Sequence, residues 1–255
     1  MNNIRKFSKN RVQFNTSENQ LCHMITLTTI SWSSIYQSLN EKGYAIIPSF
    51  LSVEECHYFV DHYANGNLYR SIINMQRYRF GKGEYKYFSY PLPERIQTMR
   101  EGLYRPLAML ANDWMSSLAI ATQFPLDHKE HIEQCANKNQ LRPTPLILRY
   151  ETGGFNTLHQ DLYGEVYFPF QVVFALSQYG EDYEGGEFVL VEQLPRAQSK
   201  AEVVKLNRGD ALIFTTNFRP VKGTKGYYRA KMKHGLSPLL SGIRYALGVI
   251  FHNAS

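Results

Sequence analysis

The residues best placed to do chemistry lie between Leu148 and Glu165, in LRYETGGFNTLHQDLYGE. His159 and Asp161 stand two apart there, so on a β-strand both side chains leave the same face and can grip one ion. Far downstream, KHGLSPLLSGIRYALGVIF carries His234, with Arg244 ten residues beyond it. Two imidazoles and one carboxylate, with other coordination positions open, suit the non-haem Fe(II) of an oxygenase. Taken alone, H-x-D is equally compatible with a core histidine. Joined to His234, Arg244 and a strand-rich context, it points to a metal centre.

The other histidines read differently. His57 and His62 fall in a predicted helix as surface or packing residues, and His252 sits near the end of the last predicted strand, in a packing position behind the metal. His128 and His131, beside Asp127 and Glu130, have i, i+3 spacing but no third partner, which predicts an exposed helix or loop.

Short strands separated by turn residues must position the candidate ligands. After Pro145 the chain reads LILRY, the His159 strand, FPFQVVFALS, EFVLVEQ, EVVKL, DALIFTTN, a strand into His234, and RYALGVIFHN. Eight strands at this spacing predict a closed or nearly closed antiparallel structure. Before them the pattern is mostly helical. Ser31 to Gly43 carries Trp32, Ile35, Tyr36 and Leu39 at helical spacing, a short strand covers Tyr44 to Pro48, and Ser52 with Glu55 forms a capping-box signature for VEECHYFVDHY. Glu94 to Leu118 is the strongest helix, with a stripe of Ile96, Met99, Leu103, Leu107, Leu110 and Trp114. The fold class expected is α+β, with N-terminal helices over 29–140 and a β core over 145–253, in a single domain spanning 29–255. Residues 1–28 lack apolar periodicity and read as a flexible tail, within which Met24 is a second possible start.

Between Tyr69 and Pro93 the chain interleaves rings and cations. Arg77 and Arg79 alternate with Tyr78 and Phe80, which predicts a strand or hairpin around Gly81 and Gly83. Stacking rings with phosphate-seeking cations suit a nucleic-acid surface, and an ordinary half-buried strand would look the same. Both a lid over the site and a surface away from it are compatible with this pattern.

Composition narrows the class. The chain has 255 residues, 44% hydrophobic and 20% charged, as in a folded globular protein rather than a disordered one. No apolar run approaches the length of a membrane span, and Leu21 to Ile30 lacks the features of a signal peptide, so the expected location is cytoplasmic. Cys22, Cys56 and Cys135 are odd in number and share no ligand-like spacing, which fits a reducing compartment. Net charge is +6, and from Arg196 to Lys233 ten basic residues face only Glu202 and Asp210. A basic rim beside the metal, able to meet a polyanion, is the expectation.

H-x-D on one strand, a single His downstream and G-x-R ending at Arg244 together resemble the 2-oxoglutarate and Fe(II)-dependent dioxygenases with a double-stranded β-helix, or jelly-roll, core. The likeness covers about Pro145 to Asn253, and GYAIIPSFLSVEEC resembles the N-terminal region of many such enzymes. More narrowly, the chain is similar to a bacterial subfamily of nucleic-acid oxygenases, and R-Y-x-x-G followed by H-Q-D resembles the AlkB-type demethylases. Those demethylases place a further substrate-facing Arg after the one that binds 2-oxoglutarate, and none follows Arg244. The resemblance implies Fe(II) held by His159, Asp161 and His234. It also implies 2-oxoglutarate and O₂ as co-substrates, and Arg244 on the distal carboxylate. The hydroxyl usually found two residues after that Arg is absent, since Ala246 stands there. Tyr150 is the expected substitute, a plain core aromatic being the competing reading. The implied activity is C–H hydroxylation with release of succinate and CO₂, with oxidative demethylation of nucleic acid as the leading form; hydroxylation of a protein side chain or small metabolite, or a non-catalytic jelly-roll module, are the alternatives.

Overall fold

The computed structural model of the chain describes Leu27 and residues 29–255. The tail expected over 1–28, with Met24 and Cys22, lies outside the described residues apart from Leu27. Ser31–Ser255 forms one compact unit. Among the described residues no helix is long and apolar enough to cross a membrane, and Cys56 and Cys135 are free and buried.

Helix α1 (Trp32–Lys42) ends where Gly43 turns left-handed, at φ +78°, and donates its N–H to Leu39. Strand β1 (Tyr44–Ile47) follows, then α2 (Val53–Asp61), opened by the full Ser52/Glu55 capping box. Next come β2 (Tyr69–Asn74), β3 (Gly81–Lys82) and β4 (Glu84–Phe88), with β2 antiparallel to β4. The hairpin is as expected, but Arg77 to Phe80 is not strand. Met75–Tyr78 is a 3-10 turn, because the Asn74 side chain accepts from the Gln76 N–H and starts a turn that outcompetes extension. Helix α3 (Glu94–Ser117) buries the predicted stripe from Ile96 to Trp114, and α4 spans His128–Ala136.

The eight expected strands are all present. They are β5 (Leu146–Glu151), β6 (Phe155–His159), β7 (Phe170–Ala175), β9 (Phe188–Gln193), β10 (Lys200–Val204), β11 (Ala211–Thr215), β13 (Gly226–Leu236) and β14 (Leu239–Ile250). Two short strands were not foreseen, β8 (Tyr183–Gly185), beside β14, and β12 (Phe218–Gly223), beside β13. The larger sheet runs β1-β11-β7-β14-β5-β4-β2 and the smaller β10-β9-β13-β6-β3, every pairing being antiparallel. This is the double-stranded β-helix: the chain crosses between the sheets from β5 to β6 to β7, from β10 to β11 and from β13 to β14, while β9–β10 and β12–β13 are paired neighbours within the smaller sheet.

Burial explains the order. Central β7, FQVVFA, is buried at all six positions. On one face Phe170 meets Trp114 of α3 and Phe174 meets Phe50, with ring centroids 4.6 and 5.2 Å apart. On the other, Val173 and Ala175 join Phe188, Leu190, Leu212, Phe214 and Met232 between the sheets. Period-two alternation supplies both surfaces from one short strand.

Candidate metal centre

His159 ends β6 and His234 lies near the end of β13, and the register pairs the two residues directly across the strands. Directly opposed residues on neighbouring strands bring their side chains together. Their ring centroids are 4.2 Å apart. Immediately beyond, the register shifts between His234 and Leu236, and Gly235 fills the bulge. A Cβ on Gly235 would stand 2.7 Å from the Asn156 carbonyl oxygen, so a larger residue would push β6 away and part the histidines.

Asp161 follows β6 and turns its carboxylate toward both rings. Its Oδ2 is 3.1 Å from His234 Nε2 and its Oδ1 3.5 Å from His159 Nε2. One donor atom from each of the three residues lies within 4.8 Å of the other two. His159 Nδ1 donates to the Thr157 carbonyl at 2.7 Å, which turns Nε2 toward Asp161. His234 lies under Phe188, in a 5.7 Å stack, and beside Phe214.

Charge within the cluster is strongly coupled. Burial pushes the Asp161 carboxyl up, but His234 and His159 together outweigh it and hold it well below the usual carboxylate range. Burial, then the neighbouring His159, lowers the His234 imidazole. For His159 burial acts in the same sense, but the hydrogen bond and charge of Asp161 prevail and raise it. A carboxylate kept ionised beside imidazole nitrogens is the chemistry of a divalent-cation site.

Arg244 and Tyr150 face each other across β14 and β5 and line the same cavity of about 230 Å³ as the three candidate ligands. Arg244 is 4% exposed. Its guanidinium lies over the Tyr183 ring at 5.7 Å, and among the described residues it has neither an ion pair nor a side-chain hydrogen bond. A buried cation without an anion is costly, so this position fits a ligand that brings its own carboxylate. Gln171, whose Nε2 is buried without a partner, and Asn156 line the cavity as well. The donor set and the unpaired guanidinium therefore fit Fe(II) and 2-oxoglutarate in one chamber.

Tyr163 could not be singled out from the sequence. Its hydroxyl donates to Asp161 Oδ1 at 2.6 Å, and burial, then the Asp161 charge, raises it well above the usual phenol range, which keeps it a donor. The only sequence signal is its place two residues after Asp161, and a core tyrosine would look the same. His252 packs behind the site as expected, its Nδ1 accepting the Phe168 N–H at 3.1 Å and its ring 5.9 Å from Tyr163.

Two expectations need correction. The basic rim between Arg196 and His234 does not line the cavity, to which none of those ten cations contributes. Alternation along β13 buries Ala230, Met232 and His234 while leaving Lys231 and Lys233 on the opposite, exposed face. Arg208 and Arg219 are paired with Asp182 and Glu192. His128 and His131 are not exposed either; both are buried, with His128 Nε2 2.9 Å from the Phe251 carbonyl and His131 stacked on Tyr104. The i, i+3 face of α4 packs inward, and the acidic neighbours that suggested solvent lie on its other side.

Comparison with known proteins agrees with this geometry. Residues 83–254 match the model of a family described as an oxygenase catalysing oxidative methylation of damaged DNA. Over 168 residues the chain is 44% identical to an uncharacterized protein of Mycobacterium tuberculosis, present in strains CDC 1551 and H37Rv, covering 66% of this chain and 72% of that protein. Among solved structures, a prolyl hydroxylase from Trichoplax adhaerens, in complex with a hypoxia inducible factor oxygen degradation domain peptide fragment, has TM-score 0.54 at 16% identity, over 93% of each chain. A 2OG-Fe(II) oxygenase family oxidoreductase from Burkholderia pseudomallei has TM-score 0.53 at 15% identity, over 89% of this chain and 94% of its own. A Pseudomonas putida prolyl-4-hydroxylase has 0.52 at 13%, over 88% and 99%. At such identities the likeness is one of fold. With the family model spanning 83–254, about two thirds of the sequence, the chain belongs to this oxygenase family and is an oxidoreductase.

Proposed function

We propose that His159, Asp161 and His234 hold the Fe(II), that Arg244 and Tyr150 hold 2-oxoglutarate, and that the reaction is oxidative removal of a methyl group from a nucleic-acid base. The observation that carries this reading is the unpaired, buried Arg244 sharing one chamber with three converged metal donors. When bound, iron and 2-oxoglutarate supply the oxidation of a C–H bond by O₂, with release of succinate and CO₂. Arg244 would hold the distal carboxylate of the co-substrate through its two-pronged guanidinium, with the Tyr150 hydroxyl as a further donor. Tyr163 keeps Asp161 in one orientation through its hydrogen bond. Leu148, Val173, Phe188, Ala246 and Ile250 give the chamber an apolar wall, which would lower the local water content around a bound co-substrate.

An oxygenase acts on a methyl group by oxidising it rather than by adding one. Hydroxylation of an N-methyl carbon gives a hemiaminal that breaks down to formaldehyde and the unmodified base. The test is a screen of methylated single-stranded oligonucleotides, unmethylated controls, peptides and small metabolites, measuring succinate and formaldehyde together. Equal amounts of both with the methylated oligonucleotide, lost in Asp161→Ala, are expected.

A second reading, hydroxylation of a protein side chain, draws on the size of the chamber, which admits one side chain as readily as one base, and on the fold shared with a peptide-bound prolyl hydroxylase. Succinate formed with a peptide and without formaldehyde would favour it.

A further inference from the structure

We propose that Tyr78 and Phe80 form a stacking platform for the bases of a single-stranded nucleic acid, at the edge of the catalytic chamber. The inference rests on the nucleic-acid reading above and adds the surface that would receive the strand. The two rings stack on each other, with centroids 5.5 Å apart and planes 18° from parallel, yet Tyr78 is 56% and Phe80 46% exposed. Phe80 also lines the chamber that holds His159, Asp161 and His234. Arg77 and Arg79 flank the rings, are exposed, and have no ion-pair partner among the described residues.

The rings are held in place by their backbone. Met75, fully buried against Tyr150 and Leu236, anchors the turn, and the Phe80 N–H donates to its carbonyl at 3.1 Å. Arg79 takes the left-handed region at φ +60°, uncommon for a side chain of its size. Gly81 follows at φ +143°, where a Cβ would stand 2.2 Å from the Phe155 carbonyl oxygen, so only glycine lets β3 approach β6. The Phe80 carbonyl accepts both the N–H and the hydroxyl of Thr157 at 2.8 Å, and the Thr157 carbonyl accepts from His159. Thr157 thus fixes the distance from the rings to the candidate metal ligand.

Such a rigid and largely uncovered pair of rings has the form of a recognition surface rather than a core fragment. Arg77 and Arg79 add exposed cations beside the two exposed rings, the pairing that suits the phosphates and bases of an open strand, where stacking is available to every base. A duplex hides the faces of its bases, and the chamber of about 230 Å³ admits no duplex. The strand must therefore be single or locally opened. An aromatic peptide partner would normally be gripped in a pocket rather than on an open face.

The test uses the full chain with Fe(II) and 2-oxoglutarate in the absence of O₂, so that nothing turns over, and follows the anisotropy of a fluorescein-labelled single-stranded deoxyoligonucleotide. Tyr78→Ala and Phe80→Ala should each weaken binding roughly 5- to 100-fold, and Phe80→Trp should retain it. Arg77→Ala with Arg79→Ala should reduce the slope of log affinity against log salt by about 1.4, two phosphate contacts' worth. Thermal unfolding of each variant at the wild-type temperature shows that the fold is kept. The platform is overturned if the double ring variant binds the oligonucleotide as wild type does, or if duplex and single strand bind equally. It is also overturned if wild type instead prefers an acidic, aromatic peptide that the ring variants lose. Wild-type demethylation with no effect of the ring substitutions sinks the platform alone, whereas a wild-type chain that neither binds nor demethylates any oligonucleotide sinks the nucleic-acid reading with it.

Discussion

Arg100 and Arg244 are both almost wholly buried, yet their surroundings differ at every nitrogen. Arg100, 0% exposed on α3, donates Nε to the Ile250 carbonyl, Nη1 to the Tyr90 hydroxyl, and Nη2 to the His252 carbonyl and Asn253 Oδ1, all within 2.9–3.2 Å. It fastens the helical layer to the end of β14. Arg244 lies on the same strand, rests on the Tyr183 ring, and has no such acceptors among the described residues. A guanidinium with its donors matched by main-chain and side-chain oxygens of the protein serves the fold. One left unmatched in an enclosed chamber is a position kept for a ligand, at a cost in stability that the ligand offsets.

Substitution at these two positions should separate the roles. Arg244→Met is expected to reduce kcat/KM for 2-oxoglutarate roughly 100-fold or more, as loss of a buried charged hydrogen-bond pair does. Its melting temperature without co-substrate should match or exceed that of wild type, because an uncompensated charge leaves the core; a clear drop would place Arg244 with Arg100 as a structural group. Arg100→Met should do the reverse, lowering unfolding free energy by about 3 kcal/mol in denaturant titration, with KM for 2-oxoglutarate unchanged in whatever fraction stays folded. Tyr163→Phe removes one hydrogen bond from Asp161 and should weaken Fe(II) affinity about tenfold, read by equilibrium competition with a chelator.

The smallest effect concerns acid. Near Arg100, burial first and the Arg100 charge second lower His128 to about 3 and His131 to about 4. Both fold as neutral imidazoles, while the unfolded chain takes up their protons near pH 6.5. The stability they allow is therefore complete above pH 6.5 and declines as pH falls toward 4 and then 3. His131→Phe should flatten the fall in melting temperature between pH 6.5 and 4, and an unchanged slope would assign it to other groups.

Much of the centre was legible from spacing, since H-x-D and the eight-strand pattern depend on a period of two that a sequence carries openly. The convergence of His159 with His234 is a matter of register between strands far apart in the chain, which only the resemblance to a family could anticipate. What escaped depends on which face meets which neighbour. Lys231 and Lys233 read as a rim because they adjoin His234, yet the same alternation that directs His234 inward turns them away. His128 and His131 read as exposed because of Asp127 and Glu130, although only one side of α4 is acidic. The turn at Met75–Tyr78 was hidden by an alternation that mimics a strand, and Asn74, the residue that starts it, was the available clue.

The bulge at Gly235 has a thermodynamic consequence. Because it holds two strands in the one register that sets imidazole against imidazole, an ion bound there acts as a fastener joining distant parts of the polypeptide. Resistance to heat should then climb with the logarithm of free metal concentration, and a chelator should loosen this seam before the rest of the barrel gives way.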